Sequence, residues 1–324
     1  VPAARPSRST PPPDGGPTGP PRSSARTRGV VLVLLGAVLW GTTGTAQALG
    51  PEGASPQAVG ITRLVAGGAV LTAWMLVSTR LSTRPSTPST PTSPAGLPLL
   101  PMLCGAVGVA AYQLSFFAAV DRAGVAVGTA VAIGSSPVFT GLIEWAVSGR
   151  RPTPRWWSST GIATIGLVLL AGPGGGAFAG IGLALLAGLS YATYAVSSKQ
   201  LLDRWPPARA MAAVFGGGAV LVLPLLVGLD LGWLADPRGI AMLLWLAGPT
   251  ILIAYLLYGA GLREVTAAVG ATLSLAEPLT AAILAVGILA ERPTVLQLVG
   301  AAAIGVGLAI LAVPNRRVGA SPVV

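Results

Sequence analysis

The chain has 324 residues, 52% of them hydrophobic and 9% charged, where a soluble globular domain carries about a quarter charged residues. A mean hydropathy of +0.74 and 44 glycines point to a membrane protein, because glycine is frequent where membrane helices pack closely and a soluble core this apolar would aggregate. Histidine is absent and Cys104, in an apolar run, is the one cysteine, which excludes His/Cys metal sites, intramolecular disulfides and histidine acid–base catalysis. The net charge of +10 is scattered between apolar runs, not gathered on the single basic face that a nucleic-acid partner needs.

Residues 1–28 are rich in Pro, Ser and Gly and carry Arg5, Arg8, Arg22, Arg26 and Arg28, the composition of a disordered tail. Ten apolar segments follow, at 29–49, 58–78, 97–119, 124–148, 156–172, 179–198, 208–228, 240–260, 266–289 and 294–313. Each is long enough to cross about 30 Å of hydrocarbon as a helix. A secretory signal is the rival reading of the first, with basic residues, then VVLVLLGAVL, then Ala46-Gln47-Ala48. The long preceding tail and the repeat described next argue against it. Residues 80–96 form a Pro-rich, low-complexity spacer, and 314–324 a short tail.

The chain repeats itself. A shift of 141 residues lays IEWAVSGRRPTPRWW on LAVGILAERPTVLQL, so Pro137 meets Pro278 and the triplet Arg151-Pro152-Thr153 meets Arg292-Pro293-Thr294. Shifts of 150 and 151 lay AGGAVL on GGGAVL and Leu39-Trp40-Gly41-Thr42 on Ser190-Tyr191-Ala192-Thr193. The halves are therefore 29–172 and 173–313, with the spacer as the extra residues of the first. Five helices per half is an odd number, so the second copy enters the membrane from the opposite side. With the N-terminus inside, only Arg122, Arg238 and Arg292 of the basic loop residues fall outside, as the bias of basic residues toward cytoplasmic loops requires. The turn is adapted to its side: Gly149-Arg150-Arg151-Pro152 is basic, whereas Ala290-Glu291-Arg292-Pro293 carries an acid. The expected fold is thus an all-α membrane protein of ten transmembrane helices in two inverted five-helix repeats, with both termini cytoplasmic and the plasma membrane as its location.

Ten such helices, Trp40-Gly41 in the first, mid-helix Pro137 and Pro278 in the fourth and ninth, and the Glu-Arg-Pro turn after the ninth together resemble EamA-like members of the drug/metabolite transporter superfamily. The resemblance covers about residues 29–313 and implies a helical exporter of small metabolites or drugs. It also implies a central cavity built largely from helices 1, 3 and 4 and their mates 6, 8 and 9. Arg150 stands where the first half would carry the acid of the turn, so a symmetrical role for that acid is not expected.

The residues themselves lead to a compatible place, since inverted repeats put substrate near the midplane at their interface. Glu277 falls there, where an acid costs about 2.5–3.5 kcal/mol on the insertion scale and so faces a cavity, a partner or a neutralising proton. Pro278 is expected to leave a carbonyl one turn back unpaired beside it. The alternative is an acid that only hydrogen-bonds a neighbouring helix. Trp40 and Tyr191, equivalent in the repeats, are either packing residues or opposite walls of a cavity suited to cationic or planar solutes. Tyr112, Gln113, Tyr255 and Tyr258 offer hydroxyl and amide groups that could orient a substrate. Glu144 is placed to reach water or Arg150 and Arg151, and Arg63 to form a structural pair or to snorkel outward. The glycine clusters 67–68 and 216–218 are read as sites of close helix approach.

With no GxxxxGK[ST] motif the energy source is an ion or solute gradient, and Glu277 points to protons. The reading is secondary active transport of a small solute by alternating access, most simply export, with import or exchange of amino acids or related metabolites as the alternative. The partners are that solute, the lipid bilayer and protons; no cofactor is expected and no catalytic role is assigned. A membrane-embedded lipid enzyme would need a catalytic cluster, and a sensor a soluble module; neither is visible in the sequence.

Overall fold

The computed structural model describes residues 22–81, 97–172 and 178–313, and these are helical throughout apart from short connections. We number the ten membrane helices in order. They are α1 (Arg22–Ala48), α2 (Pro56–Leu81), α3 (Leu99–Ala123), α4 (Val125–Ser148), α5 (Pro154–Ala171), α6 (Phe178–Leu202), α7 (Pro207–Gly228), α8 (Pro237–Leu262), α9 (Ala267–Gly287) and α10 (Val295–Ala312). Hydrocarbon offers the backbone no partner, so long runs of Ala, Leu, Val and Gly must satisfy their peptide groups internally, as helices do.

The predicted spans hold to within a few residues, with one larger shift: α1 starts at Arg22, so Arg22, Arg26 and Arg28 belong to its first turns and not to a tail. The rest of that tail, most of the spacer (82–96) and the C-terminal tail lie outside the described residues. Nine described helices are apolar and long enough to span on their own. The remaining one, α5, opens with Pro154-Arg155-Trp156-Trp157-Ser158-Ser159 and is held by α10. A Cβ at Gly300 would lie 2.5 Å from the Leu170 nitrogen and 2.6 Å from the Gly166 carbonyl, so the two backbones are in direct contact. Ser159 Oγ donates to the Gly307 carbonyl at 2.6 Å, and the Arg155 guanidinium donates to the Ile310 and Val313 carbonyls at the end of α10. A cation over that C-terminus also complements the helix dipole.

Inversion is visible as exchange. α1 packs on α8 and α9, while α6, its counterpart, packs on α3 and α4; α2 pairs with α7, and α5 with α10. Each helix therefore finds a principal neighbour in the other repeat. The glycines predicted to allow close approach do so, Gly68 facing the Phe215 carbonyl and Gly67 facing Ile251.

The recurring triplet has a local cause. Gly149 has φ 70° and Ala290, its equivalent, φ 57°, so both copies turn through the left-handed region. Four residues on, Thr153 and Thr294 cap the next helix, accepting from the amides of Trp156 and Gln297. A left-handed alanine costs about 1–2 kcal/mol before glycine's extra entropy loss is counted. Ala290→Gly is therefore expected to stabilise the protein by about 0.5–1 kcal/mol, read as a raised Tm in detergent. An unchanged or lowered Tm would show that the turn stores no such strain.

The repeats differ at their prolines. α4 runs unbroken through Pro137, whereas α9 consists of Ala267–Leu273 and Ala276–Gly287 joined through Ser274 and Leu275. Pro278 is the third residue of the second segment, and the amide of Glu277 donates to the Ser274 carbonyl at 2.9 Å. The expected unpaired carbonyl is thus taken by the tighter turn, and Pro278 costs little because a helix start lacks internal partners in any case.

Candidate functional site

Between the repeats lies a cavity of about 60 Å³ lined by Trp40 of α1, Arg63 and Leu64 of α2, Val109, Tyr112 and Gln113 of α3, Tyr191 and Tyr194 of α6, Phe215 of α7, Ile251 and Tyr255 of α8, and Glu277 of α9. That is room for a few waters. Glu277 sits ten residues before the end of α9 and Arg63 seven after the start of α2, so both lie roughly 10–15 Å from the face opposite the described chain ends.

Most of the wall is one chain of rings. Centroids are 4.8 Å apart for Trp40 and Tyr255, 3.9 Å for Tyr255 and Phe215, 5.9 Å for Phe215 and Tyr194, 4.8 Å for Tyr194 and Tyr191, and 6.2 Å for Tyr191 and Tyr112. Each contact adds to the burial of its rings, which makes the wall stiff. Two hydrogen bonds fix its polar ends: Tyr191 Oη donates to Ser274 Oγ at 3.0 Å, and Gln113 Nε2 donates to the Gly60 carbonyl at 2.7 Å. Phe215 and Ile251 stand on π-helical turns, Ala212–Gly216 and Gly248–Ile253, each of which inserts an extra residue and re-aims side chains inward.

Arg63 and Glu277 are the charged lining residues. Among the described residues neither side chain makes a hydrogen bond, and no nitrogen of Arg63 comes within 4.0 Å of a carboxylate oxygen of Glu277. Of the two predicted readings of Arg63, the outward snorkel is corrected, because the residue faces the cavity, and it stands there with Glu277 without a salt bridge.

The predicted set divides. Trp40, Tyr191, Tyr112, Gln113, Tyr255 and Glu277 line one space. Tyr258 does not; it is fully buried behind the wall, 5.1 Å from Trp40. Pro137 is buried and Pro278 half-buried, both off the lining, and α4 contributes no lining residue while α2 and α7 do. The cause is packing: α4 lies against α6 and α5, and the π turn of α7 advances Phe215 into the place expected for it. Tyr194 was legible as Tyr191 plus one helical turn.

Glu144 lies on one cavity with Arg150 and Arg151, as its place on α4 suggests, and has further partners that the sequence does not show. It is buried, and its Oε1 and Oε2 accept from the amides of Ala267 and Ala268 at 3.0 and 2.8 Å, the first two residues of α9. Thr266 takes the next amide, Val269, at 3.2 Å. A carboxylate at a helix N-terminus is favoured both by these orphan donors and by the dipole. Trp156 Nε1 donates to the Ala268 carbonyl at 3.0 Å, and the hydroxyls of Thr160 and Thr272 meet at 2.8 Å. The first repeat thus clamps the first segment of α9, in which only Val269 escapes burial, whereas the second segment buries Ala276 alone. At the other face α4 begins after Gly124 with no side-chain cap, so the clamp has no mirror image. Side chains of the first repeat hold α9 at the face where α1 begins, while the second segment of α9 packs on α1 through Gly41. A second cavity of about 450 Å³ at the face where α1 begins is lined by Arg26, Arg150, Arg151, Arg155, Lys199 and Arg263 together with Glu144, Glu264 and Trp156. Among the described residues no three His, Cys, Asp or Glu side chains gather to hold a metal.

The comparisons bear on the family and the fold. The EamA-like transporter family matches the chain twice, over residues 27–172 and 178–313. The chain belongs to that family. It is similar to the uncharacterized transporter YwfM of Bacillus subtilis (strain 168), 39% identical over 290 residues, covering 89% of this chain and 94% of that one. It is also 28% identical over 219 residues, 66% of this chain and 72% of the other, to a probable terminal-alkyne amino-acid exporter of Streptantibioticus cattleyicolor. A solved chain described only as "Crystal structure of protein" shares the fold, with a TM-score of 0.72 and 21% identity over 90% of this chain and 96% of that one. This EamA-like transporter is a multi-pass membrane protein whose cargo is a small solute.

Proposed function

We propose that this EamA-like transporter is a proton-coupled secondary exporter, working by alternating access in the plasma membrane with both termini in the cytoplasm. The observation that carries the reading is the asymmetry around the central cavity: a clamp of Glu144, Trp156 and Thr160 holds the start of α9 at one face, and at the other α4, the counterpart of α9, starts with no side-chain cap. A cavity of about 60 Å³ admits no solute as it stands, so passage requires the halves to separate at one face at a time. The break at Ser274 and Leu275 supplies a hinge between the two segments of α9. Positive residues around the clamped face, including Arg150, Arg151, Arg155 and Arg263, support its being cytoplasmic. Glu277 is the carboxylate on the lining, hence the group on which a proton would travel. The amino-acid exporter among the relatives supports export and a metabolite-sized cargo.

The experiment is a metabolite comparison of cells overproducing and lacking the protein, followed by counterflow of the depleted solutes in reconstituted vesicles. Overproduction is expected to deplete one solute class inside and enrich it outside. Unchanged pools together with no counterflow would overturn the reading.

A further inference from the structure

The cavity at the face where α1 begins differs from the central one in charge. Six cations, Arg26, Arg150, Arg151, Arg155, Lys199 and Arg263, line its 450 Å³ or so against two carboxylates, Glu144 and Glu264, and none of these residues lines the central cavity. Glu144 is spent elsewhere, both of its oxygens accepting from the amides of Ala267 and Ala268. Among the described residues no carboxylate oxygen lies within 4.0 Å of a side-chain nitrogen of Arg26, Arg150, Arg151 or Arg263. Several of the cations are positioned by uncharged groups instead. Lys199 Nζ donates to the Leu262 and Arg263 carbonyls at 2.9 and 3.2 Å and otherwise meets only Asp203, an exposed carboxylate off the cavity, at 3.5 Å. Arg155 donates to the carbonyls of Ile310 and Val313, and the Arg151 guanidinium lies 5.7 Å from the Trp145 ring centroid. Carbonyls and rings fix a charge without cancelling it, so the surplus of positive charge on this cavity stays.

We propose that this cavity binds a phosphate group, carried by the headgroup of an anionic lipid or by a soluble phosphoester. A single carboxylate would satisfy one guanidinium and leave the others. A phosphomonoester carries about 1.5–2 negative charges and three acceptor oxygens, and the planar fork of an arginine donates to two of them at once. The first turn of α5, with Thr153, Arg155 and Trp156 on the cavity, brings its positive dipole end to the same space. The volume lies in the range of about 300–1,000 Å³ found for small-ligand sites. The depth suits a headgroup: the cavity lies at the ends of α4 and α8 and the starts of α5 and α9, where helices leave the hydrocarbon, and basic pockets between helix ends take such groups. A phosphate there also joins the halves. Arg150, Arg151 and Arg155 stand on the turn and helix that follow α4 in the first repeat, and Lys199 and Arg263 on α6 and at the end of α8 in the second, so one anion among them ties the repeats together at this face.

Binding is read as thermal protection of the purified full-length protein in detergent, with ionic strength held constant by chloride. The probes are inorganic pyrophosphate, dioctanoyl phosphatidic acid and, as the zwitterionic comparison, dioctanoyl phosphatidylcholine. A saturable rise in Tm with pyrophosphate alone assigns a soluble phosphoester, with phosphatidic acid alone a lipid headgroup, and with both a site open to either; phosphatidylcholine should give none. Arg150→Gln combined with Arg263→Gln should raise the ligand concentration needed for half-maximal protection at least tenfold. Both residues are exposed and their side chains make no hydrogen bond among the described residues, so the ligand-free Tm of that variant should hold. Arg122→Gln combined with Arg292→Gln removes the same charge at the opposite face and should leave protection unchanged. Protection by none of the probes, equal protection by phosphatidylcholine, unaltered affinity in the first double variant or an equal loss in both double variants would overturn the proposal. No transport enters the measurement, so absence of counterflow sinks the transport reading alone and absence of protection sinks this site alone.

Discussion

Glu277→Gln is expected to abolish uphill solute movement driven by a proton gradient in reconstituted vesicles while leaving membrane insertion and the detergent Tm unchanged. Glutamine keeps the shape and the capacity to accept a hydrogen bond but cannot carry a charge through the cycle. One charge moving through 100 mV is worth about 2.3 kcal/mol, close to a fiftyfold concentration ratio, and that ratio should collapse to one in the variant. Insertion should survive because a neutral amide costs less in hydrocarbon than a carboxylate. Helix geometry should survive too: the side chain makes no hydrogen bond among the described residues, and the turn is set by the backbone of Ser274 and Glu277. The readout is accumulation with and without an imposed pH gradient. Uphill flux equal to that of the unaltered protein would remove the acid from the coupling mechanism.

Glu144→Ala is expected to release the clamped face. The change leaves the buried amides of Ala267 and Ala268 without acceptors, a loss of about 2–4 kcal/mol that falls on the closed arrangement. At about 1.4 kcal/mol per tenfold, the closed-to-open ratio should fall on the order of a hundredfold. The sequence makes the measurement simple, because Cys104→Ser removes the one cysteine. A cysteine introduced at Ala271, which is buried and makes none of the clamp's hydrogen bonds, then reports opening through its labelling by an impermeant thiol reagent. Labelling from the face where α1 begins should rise steeply in the alanine variant and less in Glu144→Gln, which retains one accepting oxygen. Unchanged labelling and an unchanged Tm together would show that the contact closes nothing.

Glu144 and Arg63 also mark where sequence reasoning ran short. Both are charged residues in apolar helices, and both were assigned to the nearest polar surroundings along their own helices: Arg150 and Arg151 for one, the membrane interface for the other. Part of their surroundings belongs to helices more than a hundred residues away, the start of α9 for Glu144 and the α8 and α9 side of the cavity wall for Arg63. Trp40, Tyr191 and Glu277 were legible for the opposite reason. Pseudo-equivalent positions near the middle of inverted helices converge on the axis between the repeats whatever the details of packing, and a lone acid at that depth has few other places to go. Pro137 and Pro278 were the misleading pair: aligned in sequence, one lies inside a continuous helix and the other in the first turn of a new segment.

Ten spans, their duplication and the inversion that five helices per copy enforces were settled by the chain alone, because apolar length and parity are local properties that hydrocarbon reads directly. Which carboxylate closes a face and which one lines the cavity was decided only in the folded bundle. Two acids on membrane helices are chemically alike in the sequence; one met the free amides of a helix N-terminus and the other met open space, and that difference is made by helix packing over long separations.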